Sequence, residues 1–144
     1  MSPKASELEV GQEIGRTQIK VDRATFVRYA GASGDFNPIH WDEKFATSVG
    51  LPSVIGHGMW TMGAAVSLVS EWAGDAGRVA EYGVRFSAPV VVEYEGATPL
   101  DVSGVIKKID GDRITVELAA TQGESKVLSR ALAVVDLGER AGTD

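Results

Sequence analysis

The chain has no cysteine among its 144 residues, and this absence removes whole classes of site. Disulfides, cysteine-bound zinc, iron–sulfur clusters and thiol nucleophiles are all excluded. Histidine is scarce as well: His40 and His57 are the only two, and they do not form a closely spaced ligand pair. We therefore expect no metal and no other cofactor. The lack of cysteine suits a reducing compartment, and a cytoplasmic location is the prediction.

Positive charge is the second shortage. Lysine and arginine number 14 against 20 aspartates and glutamates, which gives a formal net charge of -6 at pH 7. No basic stripe runs along the sequence, so a nucleic acid is not an expected partner. A phosphate-bearing ligand would need a local cluster of cations. Arg78 with Arg85 is one candidate, Lys107, Lys108 and Arg113 form another, and a solvated surface is the alternative for both.

Apolar runs that suit a signal peptide or a membrane are missing too. The N-terminal stretch is polar, and segment 51–70, although uncharged, is interrupted by Pro52, His57 and several glycines. That composition favours a buried helix over a membrane span. The length suits one domain, so we expect a single domain over residues 1–144 with polar, flexible ends at 1–7 and 138–144.

The first half of the chain carries helical patterns. Its predicted elements are a polar leader at 1–16, a short strand at 17–21, a helix at 24–32 with Asp22 as N-cap, and a short helix at 41–48. The strongest helical pattern spans 58–73, and Gly74 is a suitable C-cap. This helix is apolar on every face, which predicts burial on every side.

After Gly74 the apolar residues alternate, as they do in strands. The predicted strands lie at 82–86, 101–109, 114–121 and 128–134, with turns at 110–111 and 122–124. A long apolar helix followed by antiparallel strands requires a sheet that curls around the helix. The predicted fold class is therefore α+β, with a strongly bent antiparallel sheet wrapped around one long central helix.

Chemistry concentrates in residues 29–42, which read YAGASGDFNPIHWD. Asp35 and His40 lie on either side of a turn formed by Asn37 and Pro38, which can bring both side chains to one point. A carboxylate and a neutral imidazole on one water can move its protons, as hydration, dehydration or hydrolysis requires. The alternative is structural, with Asp35 capping the turn or the next helix and His40 serving the core.

A second candidate lies where the long helix begins. The first N–H groups of a helix have no partner within it, and they carry partial positive charge. Gly58 at this position would let a carbonyl oxygen approach its backbone N–H. The alternative is that Gly56 and Gly58 only permit a tight loop, with His57 capping the helix.

Stretch 29–42, together with Phe45–Ala46 and the later GHGM at 56–59, closely resembles the motifs of the MaoC-like enoyl hydratases and dehydratases. The likeness covers most of the chain. It implies the hot-dog fold and a cofactor-free hydro-lyase that interconverts (R)-3-hydroxyacyl and trans-2-enoyl thioesters. By this resemblance Asp35 and His40 hold the water and Gly58 N–H binds the thioester oxygen. The site would be shaped by Asn37, Pro38 and His57.

Segments 39–42, 58–63, 69–75 and 81–86 are similar to a narrower group, the catalytic subunits of (3R)-hydroxyacyl-ACP dehydratases of mycolic-acid synthesis. That likeness implies a carrier-bound acyl chain, and a dimer in which the partner is a related, non-catalytic hot-dog subunit. Three alternatives stay open: a homodimeric (R)-specific enoyl-CoA hydratase, a thioesterase and a non-catalytic partner subunit. The sequence distinguishes neither acyl chain length nor the physiological direction.

Overall fold

The computed structural model describes residues 1–140, in which a curved antiparallel sheet packs around one long helix. In chain order the elements are β1 (Glu13–Ile19), α1 (Arg23–Ser33), α2 (Glu43–Ser48), β2 (Val54–Ile55), α3 (Gly58–Ala73), β3 (Val79–Phe86), β4 (Val91–Val92), β5 (Leu100–Asp110), β6 (Arg113–Gln122), β7 (Ser125–Lys126) and β8 (Leu128–Asp136). The main sheet has the order β1-β5-β6-β8-β3, with β7 paired to β6. A separate two-stranded ladder joins β2 to β4. The predicted α+β architecture is confirmed.

The central strands follow directly from their alternating pattern. Along β6, Ile114, Val116, Leu118 and Ala120 are buried, while the intervening side chains are exposed or half-buried. Strand β5 pairs with β6 from Leu100 to Asp110, so both present one apolar face to the helix. Gly111 has φ of 59° in the tight turn between them, a conformation that glycine adopts without steric cost.

Helix α3 has the predicted bounds and ends at Gly74, whose φ of 75° is left-handed. Its inner face is buried, but the prediction of burial on every side is wrong. Met59, Gly63, Ser67 and Glu71 are exposed at four-residue spacing, which places them on one side of the helix. The sheet curls around only part of the helix, and this open face borders a groove of about 580 Å³ against β1 and Tyr29.

The N-terminal region differs most from expectation. Strand β1 begins at Glu13, within the predicted leader, and ends at Ile19 rather than at residue 21. It is an edge strand that pairs only with β5 among the described residues, so polar side chains such as Arg16 and Gln18 face solvent and hide the strand pattern. Helix α1 is as predicted, and Asp22 caps it by accepting the Thr25 N–H at 2.8 Å.

The ends of the described chain make contacts with the body. Arg140 Nη1 lies 2.7 Å from Asp75 Oδ2, and the backbone carbonyl of Gly138 accepts a hydrogen bond from Arg78. Residues 141–144, which belong to the predicted flexible end, lie outside the described residues. Within residues 1–140 no helix combines the length and the apolar character that crossing a membrane requires.

We predict that Gly56→Ala destabilises the fold. A Cβ at Gly56 would lie 2.6 Å from Cζ of Phe26, which is fully buried and cannot move aside. Overpacking of this kind lowers the free energy of unfolding by about 1–3 kcal/mol. The measurement is urea unfolding followed by circular dichroism.

The matched control is Gly31→Ala in helix α1, where an added Cβ meets nothing within 4 Å. Replacing a helical glycine with alanine there should raise the free energy of unfolding by up to about 1 kcal/mol. Equal stability of Gly56→Ala and the natural protein would contradict the proposed contact with Phe26.

Candidate active site

A chain of local hydrogen bonds shapes the loop that carries Asp35 and His40. Helix α1 ends at Gly34, whose φ of 77° turns the chain away from the helix axis. Asp35 Oδ1 accepts the Asn37 N–H at 3.1 Å, and Asn37 Oδ1 accepts the Ile39 N–H at 3.2 Å. Pro38 then opens a 3-10 turn, Pro38–His40, that ends on the histidine. Side-chain turns of this type fix a short loop without a regular element.

The second oxygen of Asp35 faces the imidazole of His40. Oδ2 lies 3.8 Å from His40 Nε2, which is too long for a direct hydrogen bond. His40 Nδ1 lies 2.7 Å from the backbone carbonyl of Ile55, and since a carbonyl only accepts, Nδ1 carries the proton. His40 Nε2 therefore presents a lone pair toward the carboxylate, and the two groups can hold one small polar molecule between them.

The two groups differ sharply in burial. The Asp35 side chain is 53% exposed, whereas that of His40 is 8% exposed. Burial lowers the pKa of His40 below its usual 6.5; the hydrogen bond to Ile55 opposes this shift, the charge of His57 adds to it and that of Asp35 opposes it. His40 is consequently neutral at neutral pH, and its contact with Asp35 is not an ion pair.

His57 lies directly behind His40. The two rings stack with centroids 3.8 Å apart and planes 22° apart. His57 Nε2 lies 3.0 Å from the backbone carbonyl of Asp35, so it donates to that oxygen. The alternative that His57 caps helix α3 is wrong, because its side chain makes no capping hydrogen bond. The predicted site-shaping residue thus contacts both members of the Asp35–His40 pair.

Gly58 begins helix α3 beside the same pair. Its N–H is one of the first in the helix and has no partner inside it. Gly58 and His40 line one cavity of about 330 Å³, together with Thr61 and the segment from Phe86 to Val90. A Cβ at Gly58 would lie 3.1 Å from the Phe86 ring, so glycine permits this close approach. The predicted site residues Asp35, His40 and Gly58 are therefore neighbours in space.

Several residues at this cavity were not identified from the sequence. Thr61 and Phe86 line it, yet in sequence they are ordinary members of a helix and a strand. Ser87 also lines it, and its hydroxyl contacts that of Ser129 on β8. The Ile55 carbonyl that orients His40 belongs to a two-residue strand, β2, which has no sequence pattern of its own.

The cluster is poorly arranged for a metal ion. Asp35, His40 and His57 each offer a ligand atom, and these atoms all lie within 4.8 Å of one another. However, histidine lone pairs lie in the ring plane, and the two stacked rings are nearly parallel, so their lone pairs do not converge. One nitrogen of each ring already donates to a backbone carbonyl.

The surface cations divide into engaged and unengaged groups. Arg78 donates to the backbone carbonyls of Asp136 and Gly138, while Lys107 pairs with Glu117 and Arg113 with Glu81. By contrast one depression is lined by Glu117, which pairs with Lys107, and by three exposed cations that form no ion pair within residues 1–140, namely Arg85, Lys126 and Arg130. These three residues are called the basic patch below.

Comparison with known proteins places the chain in a family. A family model described as a MaoC like domain matches residues 5–125. A fatty acid synthase beta subunit of Cochliobolus carbonum is 31% identical over 120 residues, which cover 77% of this chain and 6% of that protein. The 3-hydroxyacyl-thioester dehydratase X of Mycobacterium tuberculosis is 39% identical over 74 residues, which cover 51% of this chain and 25% of that protein. The chain thus spans a quarter or less of the length of these curated relatives.

Solved structures agree over nearly the whole chain. A MaoC-like dehydratase superimposes with a TM-score of 0.92 at 37% identity, covering 95% of this chain and 43% of that one. An (R)-hydratase from A. caviae involved in PHA biosynthesis superimposes with a TM-score of 0.79 at 26% identity, covering 92% and 98%. The sheet wrapped around α3 is therefore the hot-dog fold, and the chain belongs to the MaoC-like domain family.

Proposed function

We propose that this domain is a hydro-lyase that interconverts (R)-3-hydroxyacyl and trans-2-enoyl thioesters. The observation that carries the proposal is the 3.8 Å gap between Asp35 Oδ2 and the lone pair of His40 Nε2. A water molecule that bridges these two atoms from the side would donate one hydrogen to each, because a carboxylate oxygen and an imidazole lone pair both accept. The unpaired N–H of Gly58 lines the cavity next to His40, where it can receive the thioester oxygen.

In the hydration direction, one water molecule adds across the double bond between C2 and C3 of the enoyl chain. Asp35, acting mainly as base with His40 assisting, takes a proton from the water as its oxygen bonds to C3 of the enoyl chain. The electron pair of the double bond moves toward the thioester, and the Gly58 N–H stabilises the enolate oxygen. The proton held by the Asp35–His40 pair then passes through His40 to C2. Dehydration is the reverse, and neither direction needs a redox partner.

The physiological role proposed first is dehydration of carrier-bound chains in fatty or mycolic acid elongation. Its support is that the two curated relatives are named as a fatty acid synthase subunit and a 3-hydroxyacyl-thioester dehydratase. The alternative is an (R)-specific enoyl-CoA hydratase, which the name of the A. caviae structure favours. Since the cavity would serve both, substrates rather than geometry must separate them. A cytoplasmic location stays a prediction from the sequence.

We also propose that the working unit is a dimer of hot-dog subunits. Strand β3 is an edge of the main sheet, and one of its sides has no strand neighbour among the described residues. Two large apolar side chains, Met59 on α3 and Phe86 on β3, are 62% and 54% exposed in one chain. A second copy or a related subunit added at β3 would extend the sheet. The choice between a homodimer and a heterodimer is part of the experiment below.

Asp35→Asn and His40→Gln should each lower the rate of hydration of a trans-2-enoyl thioester by about 10²–10⁴-fold, because each removes one member of the proton-transfer pair. Asp35 is half exposed, so its replacement should leave the fold intact. The assay monitors the loss of enoyl absorbance. It is run with the protein alone and with any partner subunit that co-purifies with it.

Unchanged turnover in both folded variants would refute the assignment. Thiol release without hydration would identify a thioesterase instead. Activity that appears only after co-purification would identify the heterodimer, and a complete lack of activity in every preparation would favour the non-catalytic subunit.

The pH profile should follow His40. The proposed cycle begins with a neutral imidazole, and burial keeps the pKa of His40 below 6.5. As the pH falls, kcat/KM for hydration should therefore decline with a midpoint below pH 6.5. The measurement is kcat/KM from about pH 5 to 8. A midpoint above 6.5 would show that His40 is stabilised in its charged form and would contradict the proposed starting state.

The basic patch should bind the phosphate in the coenzyme A or carrier-protein part of the substrate. Ser129 lines the same depression as the basic patch and contacts Ser87, which lines the cavity, so the patch lies beside the proposed site. Arg85→Gln and Arg130→Gln should therefore raise KM for coenzyme A and carrier-protein thioesters by roughly three- to tenfold.

Two controls accompany this test. The N-acetylcysteamine thioester lacks a phosphate, so its KM should not change in either variant. Lys108→Gln removes an exposed cation outside the basic patch and should leave every substrate unaffected. Equal effects on the substrates with and without phosphate would exclude phosphate binding by the basic patch, and a larger effect on the carrier-protein thioester would support the carrier as the natural donor.

A further inference from the structure

His57 has features that a simple core residue does not need. It is 2% exposed, and it is the last residue before helix α3. Its Nε2–H donates to the carbonyl of Asp35, which is 22 residues away in sequence. This bond joins the start of the long helix to the loop that carries the carboxylate.

The ring of His57 is also the middle layer of a stack. His40 lies on one face at 3.8 Å, and Phe26 lies at 6.0 Å with planes 21° apart. Tyr29 meets His57 edge-on at 4.7 Å. These contacts give His40 a rigid back wall, because Phe26 and the edge of Tyr29 prevent His57 from moving away.

The two ring nitrogens of His57 differ in their hydrogen bonding. Its Nδ1 is buried and has no hydrogen-bond partner among the described residues. Leaving such an atom unpaired costs free energy, which an apolar side chain of the same shape would avoid. The histidine therefore offers something that phenylalanine could not, and within residues 1–140 the one hydrogen bond that its side chain makes is to the Asp35 carbonyl.

We propose that His57 is the positioning residue of the Asp35–His40 pair: its N–H holds the Asp35 backbone, and its ring fixes the plane of His40. Together the two contacts set the gap in which the water is held. This inference rests on the proposed hydro-lyase function. His57 contacts neither water nor substrate in this scheme and acts only through its two neighbours.

Two substitutions separate the two contacts. His57→Phe keeps a ring for stacking but removes the N–H donor. His57→Gln loses the ring but keeps a donor, since the amide nitrogen of glutamine lies as many bonds from Cα as Nε2 of histidine. Each should lower kcat by about 10- to 100-fold, because a displaced pair no longer holds the water in line. KM should stay constant, because the thioester contacts are untouched.

The pH profile provides a readout that a purely structural role would not move. Burial is the largest cause that lowers the pKa of His40. His57→Gln opens the stack and lets water reach His40, so the low-pH limb of kcat/KM should move to higher pH. His57→Phe keeps His40 buried, so its limb should stay low while kcat falls. Ile114→Ala is the control: it loosens the core on strand β6, away from the stack, and should lower the melting temperature without moving the limb.

Nuclear magnetic resonance keeps the inference testable if both variants fail to fold. The chain has only two histidines, so ¹⁵N-histidine labelling gives two imidazoles to assign. The natural protein should show His40 protonated on Nδ1 and His57 protonated on Nε2, with the His57 proton protected from exchange. The same tautomer in both rings, or a rapidly exchanging His57 proton, would overturn the proposal.

Activity distinguishes this inference from the function on which it depends. Suppose that Asp35→Asn inactivates the enzyme but folded His57 variants keep the natural kcat and an unshifted low-pH limb. This result would refute the role of His57 and leave the proposed function standing. If the natural protein hydrates no enoyl thioester, the proposed function fails, while the tautomer measurement still decides whether His57 holds the Asp35 loop.

Discussion

The hydrogen bond from His40 Nδ1 to the Ile55 carbonyl is the interaction on which the site depends. It fixes which nitrogen of His40 faces Asp35, and without it the imidazole could present a proton where the proposed chemistry needs a lone pair. Ile55 is held in turn by pairing with Val91 in the β2–β4 ladder. The side chain of Gln122 binds both the N–H and the carbonyl of Val91, at 2.8 and 2.7 Å. The main sheet therefore supports His40 through one buried glutamine and a two-residue ladder.

Helix α3 links the two halves of the proposed site. His57, the residue just before the helix, contacts the Asp35 loop, and Gly58, the first residue of the helix, offers the N–H that is proposed to bind the thioester oxygen. Because a helix is stiff, a shift of its start would move both parts together. Packing of Ala65, Val69 and Ala73 against the sheet holds the helix in place. The hot-dog core thus places the proposed site at the N-terminal end of α3, while the helix face that carries Met59, Gly63, Ser67 and Glu71 stays open.

The sequence predicted the turns, caps and strands that depend on interactions between near neighbours in the chain. The Asx turns around Asp35 and Asn37, the cap at Asp22 and the alternation along β6 need only near neighbours, and each was predictable. The open face of α3 was not, because apolar composition does not reveal how far a sheet wraps. Strand β1 was predicted only at its end, residues 17–19, because an edge strand tolerates the polar side chains that hide its first residues. The stacking of His57 on His40 joins residues 17 positions apart through the core, a relation that no spacing rule describes.

The unequal burial of Asp35 and His40 argues for a division of their roles. The carboxylate of Asp35 is half exposed, so it lies in contact with solvent and can accept a proton from a bound water. The buried imidazole is neutral at rest, because its surroundings disfavour a charge. A proton that reaches it is therefore readily given up again, as delivery to the α-carbon requires. Two titratable groups in different environments can take different parts in one reaction. The loop places one in solvent and the other against His57, so the same fold that fixes their separation supports the two different roles proposed for them.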